Sequence, residues 1–253
     1  MLTLDVQSLH IPIPASGKGW LAVDKPAGLT VHNAPGADLC AIVENYIRDK
    51  SGLFAHICPD PDFGIHPVHR LDKETSGVLL LAADRDTFRF LSRQFDARAV
   101  QKRYVAILHG LVADPQTQNR WGLWQWPLAK ISGGRNNPTG TGRKLPCATR
   151  YQVLDRSAHY SLAEVDLLTG RKHQIRRHAK LAGHPVVGDN RYGSLRACRF
   201  LKKNHGFERL ALHARSLTIQ FPEGHGLQTI ETLQIPIQMR ELFEADSANR
   251  CLI

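Results

Sequence analysis

The chain has 253 residues, 42% hydrophobic and 22% charged, which suits one large or two small packed domains and argues against wholesale disorder. Its longest apolar run, residues 78–83, is six residues long, against the roughly 20 that a membrane-spanning helix needs. Lys+Arg number 33 against 23 Asp+Glu, a formal net of +10, and residues 170–215 hold 12 basic and 2 acidic side chains, so that one stretch carries the whole excess. A cationic stretch this local favours a polyanionic partner, RNA or DNA, although a solvated basic face has the same composition.

Residues 20–24, WLAVD, read as a strand ended by the turn Lys25-Pro26-Ala27-Gly28. In residues 40–50 the positions Ile42, Val43, Tyr46 and Ile47 have helical spacing. Residues 58–67 hold three prolines and a glycine and read as loop. The apolar run 77–83 predicts a strand buried on both faces. Residues 84–97 predict a helix with Phe88, Leu91 and Phe95 on one side, and residues 102–111 a strand. Three of the four tryptophans, Trp121, Trp124 and Trp126, precede ISGGRNNPTGTGRK, so residues 121–146 read as a flexible basic loop. Strands are predicted over 149–154, 160–168, 210–221 and 229–235. A helix over 173–182 is closed by Gly183 and Pro185. Strands without regular βαβ alternation indicate an α+β fold with a mixed, largely antiparallel central sheet flanked by helices and loops.

Cys40, Cys58, Cys147, Cys198 and Cys251 are scattered and form no C-x-x-C pair, so neither a disulfide framework nor a structural zinc site is expected. The thirteen histidines include no H-E-x-x-H motif. Neither G-x-G-x-x-G nor G-x-x-x-x-G-K-[ST] occurs, which removes support for a nucleotide cofactor. No metal is expected.

The stretch HRLDKETSG runs straight into VLLLAA. A polar turn feeding a buried strand can fix a reactive side chain, because rigid strand backbone anchors it. Asp72 lies two residues from Arg70, and an unperturbed aspartate is ionised at neutral pH. In a closed site a nearby cation keeps it so, leaving a carboxylate that can act as nucleophile or base. A surface ion pair has the same spacing.

HRLDKETSGVLLLA resembles the H-R-L-D-x-x-T-S-G signature of the RluA-type pseudouridine synthases. WLAVDKPAGLTVH resembles that family's first motif, a strand ending in K-P-x-G-x-x-V-H, and QKRYVAILHG its K-x-Y-x-A-x-V-x-G segment. LLTGRKHQIRRHAKLAGHPVVGDNRYG resembles its L-x-T-G-R-x-H-Q-I-R-x-H…G-x-P-[IV]-x-G-D-x-x-Y-G motif almost throughout, and WPLAK, CATRYQVL and LALHARSLTIQFP are also similar to family segments. These matches run in family order from about Trp20 to Pro236. The resemblance implies the pseudouridine synthase fold and isomerisation of a uridine in RNA to its C-glycoside, with no cofactor, metal or energy source. In residue terms it implies Asp72 as the catalytic aspartate, Tyr104 as the tyrosine that stacks on the target base and Arg176 as the arginine that pairs with the aspartate. Ile175 would pack under the base, and Arg70 would assist flipping of the uridine. His69, beside Arg70 in the same motif, is grouped with the substrate-binding residues. Lys172, Arg177, Lys202 and Lys203 are read as phosphate contacts.

Lys172 stands where the family usually has threonine, and Arg177 where it usually has an aliphatic residue. Nineteen residues precede Trp20, too few for the S4-like RNA-binding domain of many relatives. The expectation is therefore a single catalytic domain over 1–253 with a core at about 20–236. The protein is expected to be a cytoplasmic monomer acting on rRNA or tRNA, without membrane association. A non-catalytic RNA-binding protein on the same fold is the alternative, and a base-cleaving glycosidase using a carboxylate is another.

Overall fold

A computed structural model describes the chain apart from residues 1, 7–8, 33, 35, 116–119, 225 and 249–253. Cys251 lies outside the described residues, and the other four cysteines are free thiols. In chain order the elements are β1 (Leu2–Val6), β2 (Leu9–Ile13), β3 (Ala15–Gly17), β4 (Trp20–Lys25), α1 (Leu39–Asp49), β5 (His66–Pro67), β6 (Ser76–Ala82), α2 (Arg85–Asp96), β7 (Gln101–His109), β8 (Gly122–Trp124), β9 (Leu128–Ile131), β10 (Thr141–Leu145), β11 (Thr149–Arg156), β12 (Tyr160–Leu167), α3 (Gln174–Leu181), α4 (Leu195–His205), β13 (Leu212–Gln220), β14 (Leu227–Glu231) and α5 (Ile237–Ala248). The fold is α+β, and two compact units divide it: residues 1–101 with 214–233, and residues 102–213 with 234–253.

In the first unit β4 and β6 pair antiparallel, from Trp20 opposite Ala82 to Lys25 opposite Gly77. β3 pairs with β4, β5 with β6 and β14 with β13, all antiparallel, and β13 lies beside β6. The continuous apolar reading of β6 holds because both its faces are covered. Val78, Leu80 and Ala82 pack with Leu91 of α2, with Leu217 and Ile219 of β13 and with Phe221 just after it, while Leu79 and Leu81 on the opposite face are equally buried. Trp20 stacks on Phe221 with ring centroids 3.8 Å apart. Asp84 caps α2 by accepting the Thr87 N–H, as Asp38 caps α1 by accepting that of Ala41.

The second unit is built on antiparallel strands in the order β7–β12–β11–β8. Tyr104 stands opposite Val165, and Thr149 opposite Leu167. Residues 121–146 are not the loop that their Gly-Asn-Pro content suggests. They form β8 and then a hairpin of β9 and β10, with Leu128 opposite Leu145. The turn-forming residues are the turns of this hairpin, not a mobile connector. Gly140 sits at φ +81°, where a Cβ would lie 2.2 Å from the Ile131 carbonyl oxygen, so only glycine fits. β1, β2, α4 and α5 also lie outside the predicted elements. α4 buries only Leu201 and so lacks the apolar stripe that marks a helix.

Candidate active site

The HRLD segment is gripped from several sides within the first unit. The Val68 N–H donates to the Leu80 carbonyl at 3.0 Å. His69 accepts the Leu80 N–H through Nε2 at 3.1 Å and stacks on Phe95, with ring centroids 4.8 Å apart. His69 is thus tied to the neighbouring strand and helix, which helps to place the turn. Arg70 is exposed and Asp72 half-buried. The turn closes where the Thr75 N–H donates to the Asp72 carbonyl at 3.0 Å.

Lys25 lies under this turn and is fully buried. Its ammonium donates to the carbonyls of Pro26 and Leu29, each at 2.8 Å, and of Lys73 at 3.1 Å. The Gly28 N–H donates to the same Lys73 carbonyl at 2.8 Å. A buried ammonium is costly unless its donors are used, and here they fasten the K-P-A-G loop to the residue after Asp72. Gly77 adds a second constraint. At φ +117° its Cβ would meet the Ala214 carbonyl oxygen at 2.2 Å, so glycine is what lets β13 approach immediately after the turn.

In the second unit Tyr104 is buried on β7. Helix α3 is short and polar, yet residues 174–179 are all buried. Its first residue is held by a polar lattice. Gln174 Oε1 accepts from the Thr169 hydroxyl at 2.8 Å and the Arg171 N–H at 3.0 Å. Its amide donates to the Ala148 carbonyl at 3.0 Å and to the Thr149 hydroxyl oxygen at 2.9 Å. His178 Nε2 donates to the Trp126 carbonyl at 2.9 Å, leaving Nδ1 to accept from the Thr149 hydroxyl at 2.9 Å. Burial pushes the His178 imidazole below its usual range, which agrees with that neutral tautomer.

Arg176 is 3% exposed and forms a two-pronged pair with Asp189, 1% exposed. Asp189 also accepts the N–H groups of Arg191 and Tyr192, each at 2.9 Å. Burial alone would raise this carboxyl, but the Arg176 guanidinium and the two N–H groups outweigh it and hold it below the usual carboxylate range. The Tyr192 ring lies beneath the Arg176 guanidinium, and its hydroxyl hydrogen-bonds His173 at 2.9 Å. His173 precedes α3 in the left-handed region, φ 54°, a conformation that costs a non-glycine residue about 1–3 kcal/mol. Ile175 is buried beside Arg176.

Arg177, read from sequence as a phosphate contact, is instead fully buried. Its guanidinium donates to the carbonyls of Pro138 and Thr139 at 2.6 Å, Ala129 at 3.1 Å and Lys172 at 3.2 Å. Its four carbonyl partners use the donors that a phosphate would need, so Arg177 is the anchor of the β9–β10 hairpin. Arg191 adds bonds to the Ser132 and Gly133 carbonyls at 3.2 Å, and Arg135 donates to the Gly193 carbonyl. Lys172 and Lys203 are exposed, and Lys202 pairs with Glu208 at 2.6 Å on the surface. Lys25, Gln174, Asp189 and Tyr192 have no role among the sequence-based expectations. Each is nevertheless a fixed letter inside one of the family-like motifs, and that is the signal that could have found them. Among the described residues no group of three His, Cys, Asp or Glu side chains could hold a metal ion, and no helix is long and apolar enough to cross a membrane.

The family model described as RNA pseudouridylate synthase matches residues 19–181. The chain is 34% identical over 230 residues to the tRNA pseudouridine synthase C of Haemophilus ducreyi, covering 84% of this chain and 86% of that one. It is 36% identical over 214 residues to the ribosomal large subunit pseudouridine synthase C of Escherichia coli (strain K12), covering 83% of this chain and 62% of that relative's length. In fold it is similar to human RNA pseudouridylate synthase domain containing 4, with a TM-score of 0.70, 24% identity and 92% of each chain covered. Four motifs in order, the match over 19–181 and the relatives in two RNA classes converge: this chain belongs to the RNA pseudouridylate synthase family, the isomerases that convert uridine in RNA to pseudouridine.

Proposed function

We propose that this chain isomerises one uridine in structured rRNA or tRNA, with Asp72 supplying the carboxylate that starts the reaction. The N1–C1′ bond of the uridine breaks, the base turns, and C5 bonds to C1′ and gives up its hydrogen as a proton while the freed N1 gains one, so the RNA keeps its mass and no cofactor or metal takes part. A base has to leave its stack before this bond is reached, at about a few kcal/mol. Arg70, exposed at the start of the turn, offers a planar cation for the space vacated. Tyr104 supplies a flat apolar face with a polar tip, Ile175 apolar support for the base, and Arg176 a guanidinium held in a fixed orientation by Asp189. Lys172, Lys202 and Lys203 face the phosphates. We further read the chain as a single catalytic domain that works as a cytoplasmic monomer.

The observation that carries this reading is the anchoring of the Asp72 turn by Lys25, Gly28 and Thr75. A reactive carboxylate needs backbone fixed to within a fraction of an ångström, and a turn used only as a connector has no need of a buried ammonium. The test is a transcriptome-wide map of pseudouridine in cells with and without the gene, complemented by wild type or Asp72→Asn. One or a few rRNA or tRNA positions lose pseudouridine on deletion and regain it only with the wild type. Release of free uracil would instead assign the carboxylate to base cleavage.

A further inference from the structure

Helix α4 presents Arg196, Arg199, Phe200 and Lys203 at i, i+3, i+4 and i+7, a spacing that places them along one side. All four are at least partly exposed. Phe200 is 57% exposed, its ring tilted against His205 with centroids 5.8 Å apart. The helix sequence, LRACRFLKKNH, contains no acidic residue, and the neighbouring Glu208 is paired with Lys202, outside this stripe. Helix stability does not explain the pattern. Lys203 in the last turn suits the helix dipole, but Arg196 sits in the first turn, two residues after the cap Ser194, where the dipole opposes a cation.

An exposed ring among three cations, on a helix with no acid of its own, is the combination that binds single-stranded nucleic acid: stacking on a base and charge for the phosphates on either side. We propose that this face of α4 is an accessory RNA-docking site, in which Phe200 stacks on an unpaired base and Arg196, Arg199 and the phosphate contact Lys203 hold the adjoining phosphates. The proposal rests on the reading of the chain as an RNA enzyme. It adds a second point of base contact, one that selects RNAs with an unpaired segment beside the structured target.

The test uses the full chain and two probes, an RNA stem–loop carrying a short single-stranded oligouridine tail and the same stem–loop blunt-ended, titrated by fluorescence anisotropy at several salt concentrations. Phe200→Leu keeps apolar bulk without a π-face. It should weaken binding of the tailed RNA at least about fivefold, the low end of what stacking one base contributes, and leave the blunt RNA unchanged. Phe200→Tyr should bind like the wild type. Arg196→Gln with Arg199→Gln should flatten the slope of log K against log salt on the tailed RNA by about 0.7 for each phosphate no longer neutralised. Tailed-RNA binding by Phe200→Leu as tight as that of the wild type would overturn the proposal, as would equal weakening on both probes. A self-associated species that Phe200→Leu dissolves, with RNA affinity unchanged, would overturn it in favour of a second copy of the chain. Pseudouridine formation by the wild-type preparation separates the two readings. If no RNA is isomerised but the tail-specific loss persists, the catalytic reading fails and the docking face stands. If isomerisation is normal and the tail-specific loss is absent, the docking face alone fails.

Discussion

Arg176 and Asp189 meet edge to edge, Nε to Oδ2 at 2.7 Å and Nη2 to Oδ1 at 2.8 Å, with almost no exposed surface on either. Asp189 is itself fixed by two backbone N–H groups of its own turn. The guanidinium plane is therefore set by the G-D-N-R-Y-G turn, and α3 is docked onto that turn through its third residue. A bidentate pair fixes direction as well as distance, so the Arg176 guanidinium is held in one orientation by its own unit.

Removing one partner of a buried pair leaves the other charge uncompensated, at a cost of about 3–5 kcal/mol. Asp189→Ala should lose that much in urea denaturation at neutral pH. Asp189→Asn, which keeps shape and one acceptor, should lose less and remain folded for assay. It should lower kcat more than it weakens RNA affinity, because the guanidinium is displaced and not deleted. A cost below about 1 kcal/mol for the alanine variant, the size of an exposed ion pair, would show that the pair does not hold α3.

Asp72→Asn is nearly isosteric, and the turn uses the Asp72 backbone carbonyl, so the variant should fold and bind RNA as the wild type does. Isomerisation in single turnover should fall by about 10²-fold or more, the usual contribution of a catalytic acid or base. Retention of more than about a hundredth of the rate would remove Asp72 from that role.

Lys25→Met keeps an unbranched chain and removes the ammonium, so the carbonyls of Pro26 and Leu29 lose a donor and that of Lys73 keeps the Gly28 N–H alone. Each unsatisfied buried group costs about 1–3 kcal/mol. Because the Lys73 carbonyl adjoins Asp72, the rate should suffer beyond the stability loss. A displacement of about 1 Å at a reacting group is enough for a 10²-fold drop in kcat. Measured at a temperature where the variant is fully folded, an unchanged kcat would confine Lys25 to stability.

Much of the first unit and the central part of the second was legible in the sequence, because period and composition agree there. The run 77–83 is apolar on both faces and is buried on both. The spacing of Phe88, Leu91 and Phe95 matches a helix whose cap, Asp84, stands at the expected start. The paired strands 149–154 and 160–168 also emerge, two residues longer at the first strand's end. What was hidden depends on interactions remote in sequence. Arg177 lies in the most basic stretch of the chain, yet its partners are carbonyls about 40 residues away, and charge counting cannot tell a buried arginine from a phosphate contact. The same hydrogen bonds turn a Gly-Asn-Pro segment into an anchored hairpin. The motif letters single out Asp72, Tyr104 and Arg176, but the work of Lys25 and Asp189 is visible only once the carbonyls and the guanidinium that they hold are in place.

The clasp on α5 gives a pH-dependent prediction. Asp246 accepts from the Ser157 hydroxyl, from the His159 N–H at 2.8 Å and from His159 Nδ1 at 2.8 Å. Burial alone would raise its carboxyl, but these hydrogen bonds outweigh burial and hold it below the ordinary value of 3.8. A carboxyl whose folded pKa is depressed contributes stability that is fully present above its unfolded value and is lost as pH falls through the folded one. Wild type should therefore be more stable than Asp246→Asn by about 1.5–3 kcal/mol at pH 7, the range for hydrogen bonds to a charged group. The gap should narrow as pH drops below about 4, where the unfolded chain already holds the proton. The neighbouring Tyr160 hydroxyl, pushed up by burial and by Asp246, titrates far above this window. Urea denaturation of both proteins from neutral pH to about pH 3 measures the gap directly. A difference that stayed constant across that interval would mean that the asparagine acts through packing of α5 and not through the carboxylate charge.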